Sequence, residues 1–263
     1  MMIDSHVHID STKYTEQGTV TDVLEAALKF GVERFVAPSV HFESFENLLQ
    51  ISEKHPNVYP AAGIHPHDAS PKRCVQLTQR LETCLGRLAT PIVGETGLEG
   101  HYDFVPMDTQ LESLRAHLDV AQAHGLPVIL HCRDTEETLY GELAKRRMKG
   151  VVHCFTGSWE WAQRFLDVGF HIGITGIVTF KKSHQVQEVA TLTPSDRLLV
   201  ETDGPYLAPI PYRGKINKPE YIPLIVKKIA ELREVSTGSV ADFTTSNTES
   251  LFGLPKHVPS DSV

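Results

Sequence analysis

The chain has 263 residues, 41% of them hydrophobic and 22% charged, with a formal net charge of −8. That length suits one large α/β domain or two small ones, and that composition suits a soluble globular protein with a sizeable core. The acidic balance argues against sequence-independent coating of nucleic acid, while leaving room for a small positive patch at a site.

Read in order, short β-branched runs alternate with longer amphipathic ones. Strands are predicted at 2–9 (MIDSHVHI), 34–40, 58–66 (VYPAAGIHP), 91–98 (PIVGETGL), 126–133 (LPVILHCR), 150–157 (GVVHCFTG), 171–180 and 198–206 (LLVETDGPY). Between them the spacing of apolar residues at i, i+3, i+4 and i+7 predicts helices at 20–31, 45–55, 74–89, 109–125, 135–148, 159–169 and 184–192, several ending on glycine. Two further helices close the chain at roughly 219–234 and 237–252. Eight strands, each followed by a helix, make the pattern of a (β/α)8 TIM barrel with extra C-terminal helices. The competing doubly wound sheet would carry a Gly-rich phosphate loop after its first strand, and none is present. No repeat or linker divides the chain, so we expect one barrel domain over 1–254 and a polar tail over 255–263.

No basic segment followed by an apolar one opens the chain, and no apolar run approaches membrane-spanning length. A cytoplasmic protein with no membrane partner is expected, as a monomer. The four cysteines, Cys74, Cys84, Cys132 and Cys154, form no CxxC pair and read as reduced thiols.

His6 and His8 stand one residue apart on the first strand and so share a face. Alone they fit either a solvated edge or a ligand pair. The later strand ends decide between these: His65 and His67, then Glu95, His131, His153 and Asp203. Metal-ligand side chains thus end six of the eight strands, at the face where barrel enzymes keep their chemistry. Four imidazoles and two carboxylates exceed one tetrahedral ion with an open position and suit two ions sharing a carboxylate. No lysine ends strand 4 or 5, which leaves Glu95 as the natural bridge. Such a pair would hold a hydroxide at neutral pH and stabilise oxyanion charge. Imidazoles favour zinc, whereas carboxylates and a phosphate substrate also suit magnesium or manganese.

The segments IDSHVHID, GIHPHD, VGETGLE, PVILHCRD, VVHCFTGS, IGITGIVTFKK, ETDGPYLAP and RGKIN resemble, in order and spacing, the signature of the TatD family of metal-dependent deoxyribonucleases within the amidohydrolase superfamily. The resemblance runs from residue 2 to about residue 252. It implies that His6, His8 and Asp203 bind one divalent ion, that His131 and His153 bind a second, and that Glu95 bridges them. It also implies that Asp203 is the general base, that His65 contacts phosphate, and that Arg133 and Arg213 are basic substrate-binding positions. The implied activity is hydrolysis of phosphodiester bonds in DNA, as a 3′–5′ exonuclease on single strands, with RNA or oligonucleotide also possible as substrate. Lys181, Lys182, Arg213, Lys215 and Lys218 fall in loops after strands 7 and 8, where they would meet a few phosphates.

Three positions depart from the family pattern: Glu99 for Asp, Gly204 for Ser and Lys218 for an acidic residue. They bear on the substrate pocket, not on the ligand set. The alternative function is hydrolysis of a small amide, lactone or ester within the same superfamily. A catalytically silent barrel would have lost a ligand, and none is missing.

Overall fold

Eight parallel strands alternate with helices from end to end of the computed structural model, which describes residues 1–256. The tail expected over 255–263 lies outside the described residues from 257 onward. The strands are β1 (Met2–Asp4), β2 (Val32–Pro38), β3 (Val58–Ala61), β4 (Val93–Glu99), β5 (Val128–Arg133), β6 (Gly150–Val152), β7 (Phe170–Ile174) and β8 (Leu198–Val200). The helices are α1 (Val20–Leu28), α2 (Phe42–Lys54), α3 (Pro71–Cys74), α4 (Leu77–Leu85), α5 (Met107–His124), α6 (Glu136–Leu143), α7 (Trp159–Asp167), α8 (His184–Leu192), α9 (Ile222–Arg233) and α10 (Thr237–Phe252).

Hydrogen-bonded ladders run β1-β2-β3 and β4-β5-β6-β7-β8, all parallel. Both seams between the two ladders are bridged. Val7 pairs with Gly204 and Ala62 with Val93. Backbone bonds from Ser5 to Val200, Asp203 to His6 and Gly94 to Ala62 complete the ring. The interior agrees with closure. Ile3, Val36, Ala61, Ile129, Val151 and Leu199, one from each of six strands, meet Ile92 in a common apolar cluster. Leu251 and Phe252, at the end of α10, close the lower mouth by joining that cluster. Burial of each of these side chains other than Ala61 contributes about 1.5–3 kcal/mol. The upper end of the ring, where strands finish, is left to polar residues.

Most of the observed strands are shorter than their apolar runs. β1 was expected to reach residue 9, β3 66, β6 157 and β8 206, but the ladders stop at Asp4, Ala61, Val152 and Val200. Side chains replace the ladder there. The buried Asp4 carboxylate accepts from the backbone of His6 (3.3 Å) and Thr202 (2.9 Å), and from the Thr202 hydroxyl. The strand read to residue 180 breaks at Ile174 into a 3-10 turn over Gly176–Thr179. The helix expected over 74–89 is shortened to α4, Leu77–Leu85, and Gln76 in a left-handed conformation (φ 56°) separates it from α3, which ends at Cys74. All four cysteines are free. Among the described residues, no helix is long and apolar enough to cross a membrane.

Candidate metal centre

Glu95 sits on an irregularity. Val93 faces Val128 and Thr96 faces Leu130, so three residues of β4 span two of β5. Such a bulge re-aims a side chain, and here it turns the Glu95 carboxylate into the upper mouth of the ring. The backbone crowds around it. A Cβ at Gly97 would lie 2.0 Å from the His131 carbonyl, and φ there is +148°, so only glycine allows β4 and β5 to approach this closely.

The two Glu95 oxygens serve two groups of donors. Oε2 lies 3.3 Å from His6 Nε2 and 3.6 Å from His8 Nε2. Asp203 Oδ1 lies 3.7 Å and 3.5 Å from those same nitrogens, which are 3.3 Å from each other. Oε1 lies 2.7 Å from His153 Nε2, 3.3 Å from His131 Nδ1 and 3.5 Å from His65 Nε2. His131 and His153 approach to 3.4 Å.

These spacings test whether a cation fits. A four-coordinate ion with bonds of about 2.0–2.1 Å holds its donors roughly 3.3 Å apart, close to the separations in both groups. Buried Glu95 Oε2 also has no hydrogen-bond partner, an expensive state for a carboxylate unless a cation meets it. The residues present therefore fit divalent metal.

Protonation behaviour agrees with cation-binding groups packed together. Burial alone would favour neutral Glu95, yet His153, His65 and His6 outweigh it and hold the carboxyl well below the usual range. Burial opposes ionisation of Asp203 too, but the His8 hydrogen bond and the charges of His153 and His6 lower it. Burial would lower His153, but Glu95 and Glu201 raise it well above the ordinary imidazole value. His8 and His131 are raised despite burial, through Asp203 and Glu95 for the first and Glu95 and Glu99 for the second. Burial prevails at His6 and His65, which are lowered. Metal binding displaces protons from such imidazoles.

A second tier orients these rings. Glu201, fully buried, accepts from the Cys154 backbone and the Ser5 hydroxyl and lies 3.6 Å from His153 Nδ1. Glu99 Oε2 faces His131 Nε2 at 3.3 Å and His67 Nε2 at 3.2 Å. The His131 and backbone hydrogen bonds overcome burial and lower Glu99 to about 2. Asp4 is raised by burial to about 7, against the pull of Thr202. Ring-fixing partners of this type set tautomer and ligand basicity. Sequence reasoning missed Glu201 in this role and took Glu99 only as a departure; Asp4, also missed, holds the backbone of His6 and Thr202 rather than a ring. The alternation of Glu201 with Asp203 in VETDG was the available signal.

Above the cluster opens a cavity of about 840 Å3. His65, His67, His131, Arg133 and Asp203 line it, with Asp10, Asp68, Tyr102 and Tyr206. Arg133 is its one arginine or lysine among the described residues, against five carboxylates (Asp10, Asp68, Glu95, Glu99 and Asp203). Arg213 is exposed, its guanidinium 4.6 Å over the Phe180 ring. Lys181, Lys182 and Lys215 are also exposed, and Lys218 lies 3.8 Å from Glu220. None of these five cations lines the cavity.

Residues 3–253 match the family described as TatD related DNase. The Bacillus subtilis metal-dependent hydrolase YabD is 34% identical over 97% of this chain and 100% of its own length. The crystal structure of YjjV, a TatD homologue from Escherichia coli K12, superposes with a TM-score of 0.87 at 31% identity, covering 97% of this chain and 98% of that one. An amidohydrolase from Saccharomyces cerevisiae shares the fold, with a TM-score of 0.78 at 15% identity over 95% and 99% of the two chains. With a family match over nearly its whole length and a donor cluster that fits metal, the chain belongs to the TatD family of metal-dependent hydrolases.

Proposed function

We propose that the chain hydrolyses phosphodiester bonds of DNA with two divalent ions, as a 3′–5′ exonuclease acting on single strands. His6, His8 and Asp203 would hold one ion, His131 and His153 the other, and Glu95 would bridge them. The observation that carries this reading is the division of Glu95 Oε1 and Oε2 between two converging donor groups. When bound, the ions supply an activated water and neutralise phosphate charge. That neutralisation is needed here, because five carboxylates and a single guanidinium would otherwise repel a phosphodiester.

Asp203 Oδ1 accepts a proton from the attacking water and returns it towards the leaving oxygen. Its lowered pKa keeps it ionised and ready to accept. His65, beside the second group, and Arg133, on the cavity wall, meet the non-bridging phosphate oxygens. Arg213 contributes from the rim, to more distant phosphates. A donor cluster recessed at the floor of the cavity suits a chain end better than the interior of a duplex, and the polarity follows the family resemblance.

The test is an assay of zinc-, magnesium- or manganese-reconstituted protein against end-labelled single- and double-stranded DNA, RNA and a generic phosphodiester. Shortening of single strands from the 3′ end is expected. If every phosphodiester survives while an amide, lactone or carboxylic ester is opened, the nuclease reading is wrong.

A further inference from the structure

Beyond the second donor group Tyr102 lines the cavity, and Phe104 lies against it on the solvent side. After β4 the chain leaves the barrel, and Tyr102 and Phe104 stack with centroids 5.0 Å apart and planes within 1°. Phe104 is 66% exposed and Tyr102 41%. Rings of this size are ordinarily buried against other apolar groups, so a stacked pair held open to solvent beside a site calls for an occupant.

The pair is also firmly built. Glu99 Oε1 accepts from the backbone N–H groups of His101 (2.6 Å) and Tyr102 (3.2 Å), while Oε2 of the same carboxylate faces His131. The Gln110 amide donates to the carbonyls of Glu99 and Val105 and closes the loop from its other end. A Cβ at Gly100 would meet the Asp134 carbonyl at 2.8 Å, so the loop packs tightly where it starts. His67 sets its ring edge-on to Phe104 at 5.0 Å, and the Arg133 guanidinium lies 4.9 Å from the Tyr102 ring centre. The platform is thus fixed to the wall of the metal cluster through one carboxylate.

We propose that the Tyr102–Phe104 pair is a stacking platform for an unpaired nucleobase next to the scissile phosphate. This rests on the nuclease reading given above. The occupant must offer a flat π-face to Phe104 and an anionic group to Arg133 and the donor cluster at once. A single-stranded nucleotide carries both on one short backbone, and base–aromatic stacking is tolerant of sequence. A paired base keeps its faces against its neighbours in the duplex and reaches the platform only after fraying. The platform therefore selects single strands and loose ends.

The test compares wild type with Phe104→Leu, which keeps apolar bulk but removes the π-face, and Phe104→Trp, which restores one. Two substrates are used: a short single-stranded oligonucleotide, and the same strand with abasic tetrahydrofuran units replacing its 3′-terminal nucleotides. The wild-type preference in kcat/KM for the base-bearing strand should fall on the order of ten-fold in Phe104→Leu and recover in Phe104→Trp. A phosphorothioate oligonucleotide with 2-aminopurine near its 3′ end gives a readout independent of turnover. Its fluorescence should be quenched by wild type and Phe104→Trp, but not by Phe104→Leu. Cleavage by wild type with the same preference and quenching in Phe104→Leu would overturn the platform and leave the nuclease reading standing. Quenching without any hydrolysis would do the reverse, and absence of both would end both.

Discussion

His117 lies on α5, outside the barrel, yet it holds part of the site in place. Its ring is fully buried, Nδ1 donates to the Ser113 carbonyl at 2.7 Å, and Nε2 accepts the Ile64 N–H at 3.1 Å. Ile64 immediately precedes His65 in the loop leaving β3. Burial lowers the imidazole to about 4 from its ordinary 6.5. The folded protein therefore resists protonating His117 while the unfolded chain accepts the proton. The stability contributed by the neutral ring is complete above 6.5 and is lost as pH falls towards 4. That interval corresponds to about 3 kcal/mol, of which about 2 kcal/mol is already gone at pH 5. His117→Phe keeps a planar ring, slightly larger, but strands the Ile64 N–H, at about 2 kcal/mol. At pH 7.5 the variant should be about 2 kcal/mol less stable, with a melting temperature lower by about 4–8 °C. By pH 5 the two proteins should be nearly equal. Urea unfolding of both metal-free proteins, followed by circular dichroism at several pH values, measures the gap. A gap that stays constant from pH 7.5 to 5 would refute the reasoning.

Other consequences concern the site directly. Glu95→Gln, which removes charge from the one carboxylate facing both donor groups, should reduce bound metal and cut turnover by orders of magnitude while the barrel stays folded; near-normal turnover would place the bridge elsewhere. Asp203→Asn keeps an oxygen donor but not its basicity, so oligonucleotide binding should persist while kcat falls about 100-fold or more, as single-turnover kinetics will show. His65→Ala should raise KM for a phosphodiester without lowering metal content, and a loss of metal would instead make His65 a ligand.

The ring of eight strands was legible because its periodicity is local: apolar runs of strand length separated by amphipathic helices identify themselves without reference to distant residues. The donors were legible because imidazoles and carboxylates interrupt those runs at their ends. Strand lengths were not, since the carboxylate that replaces the β1 ladder, Asp4, bonds to Thr202 at the far end of the chain. Glu201 was hidden in the same way, its partners Ser5 and Cys154 lying just beyond the ends of β1 and β6. The break at Gln76 was missed because the apolar spacing of 74–89 continues across it. The neighbour of Arg213 was not legible, because loop position does not reveal the direction of a long side chain; its guanidinium lies over Phe180.

Metal stoichiometry and placement test the two-ion reading most directly. The chelator-stripped chain should be reconstituted with zinc or manganese, assayed by elemental analysis and crystallised for anomalous diffraction. Two ions per chain are expected, on opposite oxygens of Glu95, one touching His6, His8 and Asp203 and the other His131 and His153. A single ion, or two ions without Glu95 between them, would contradict it.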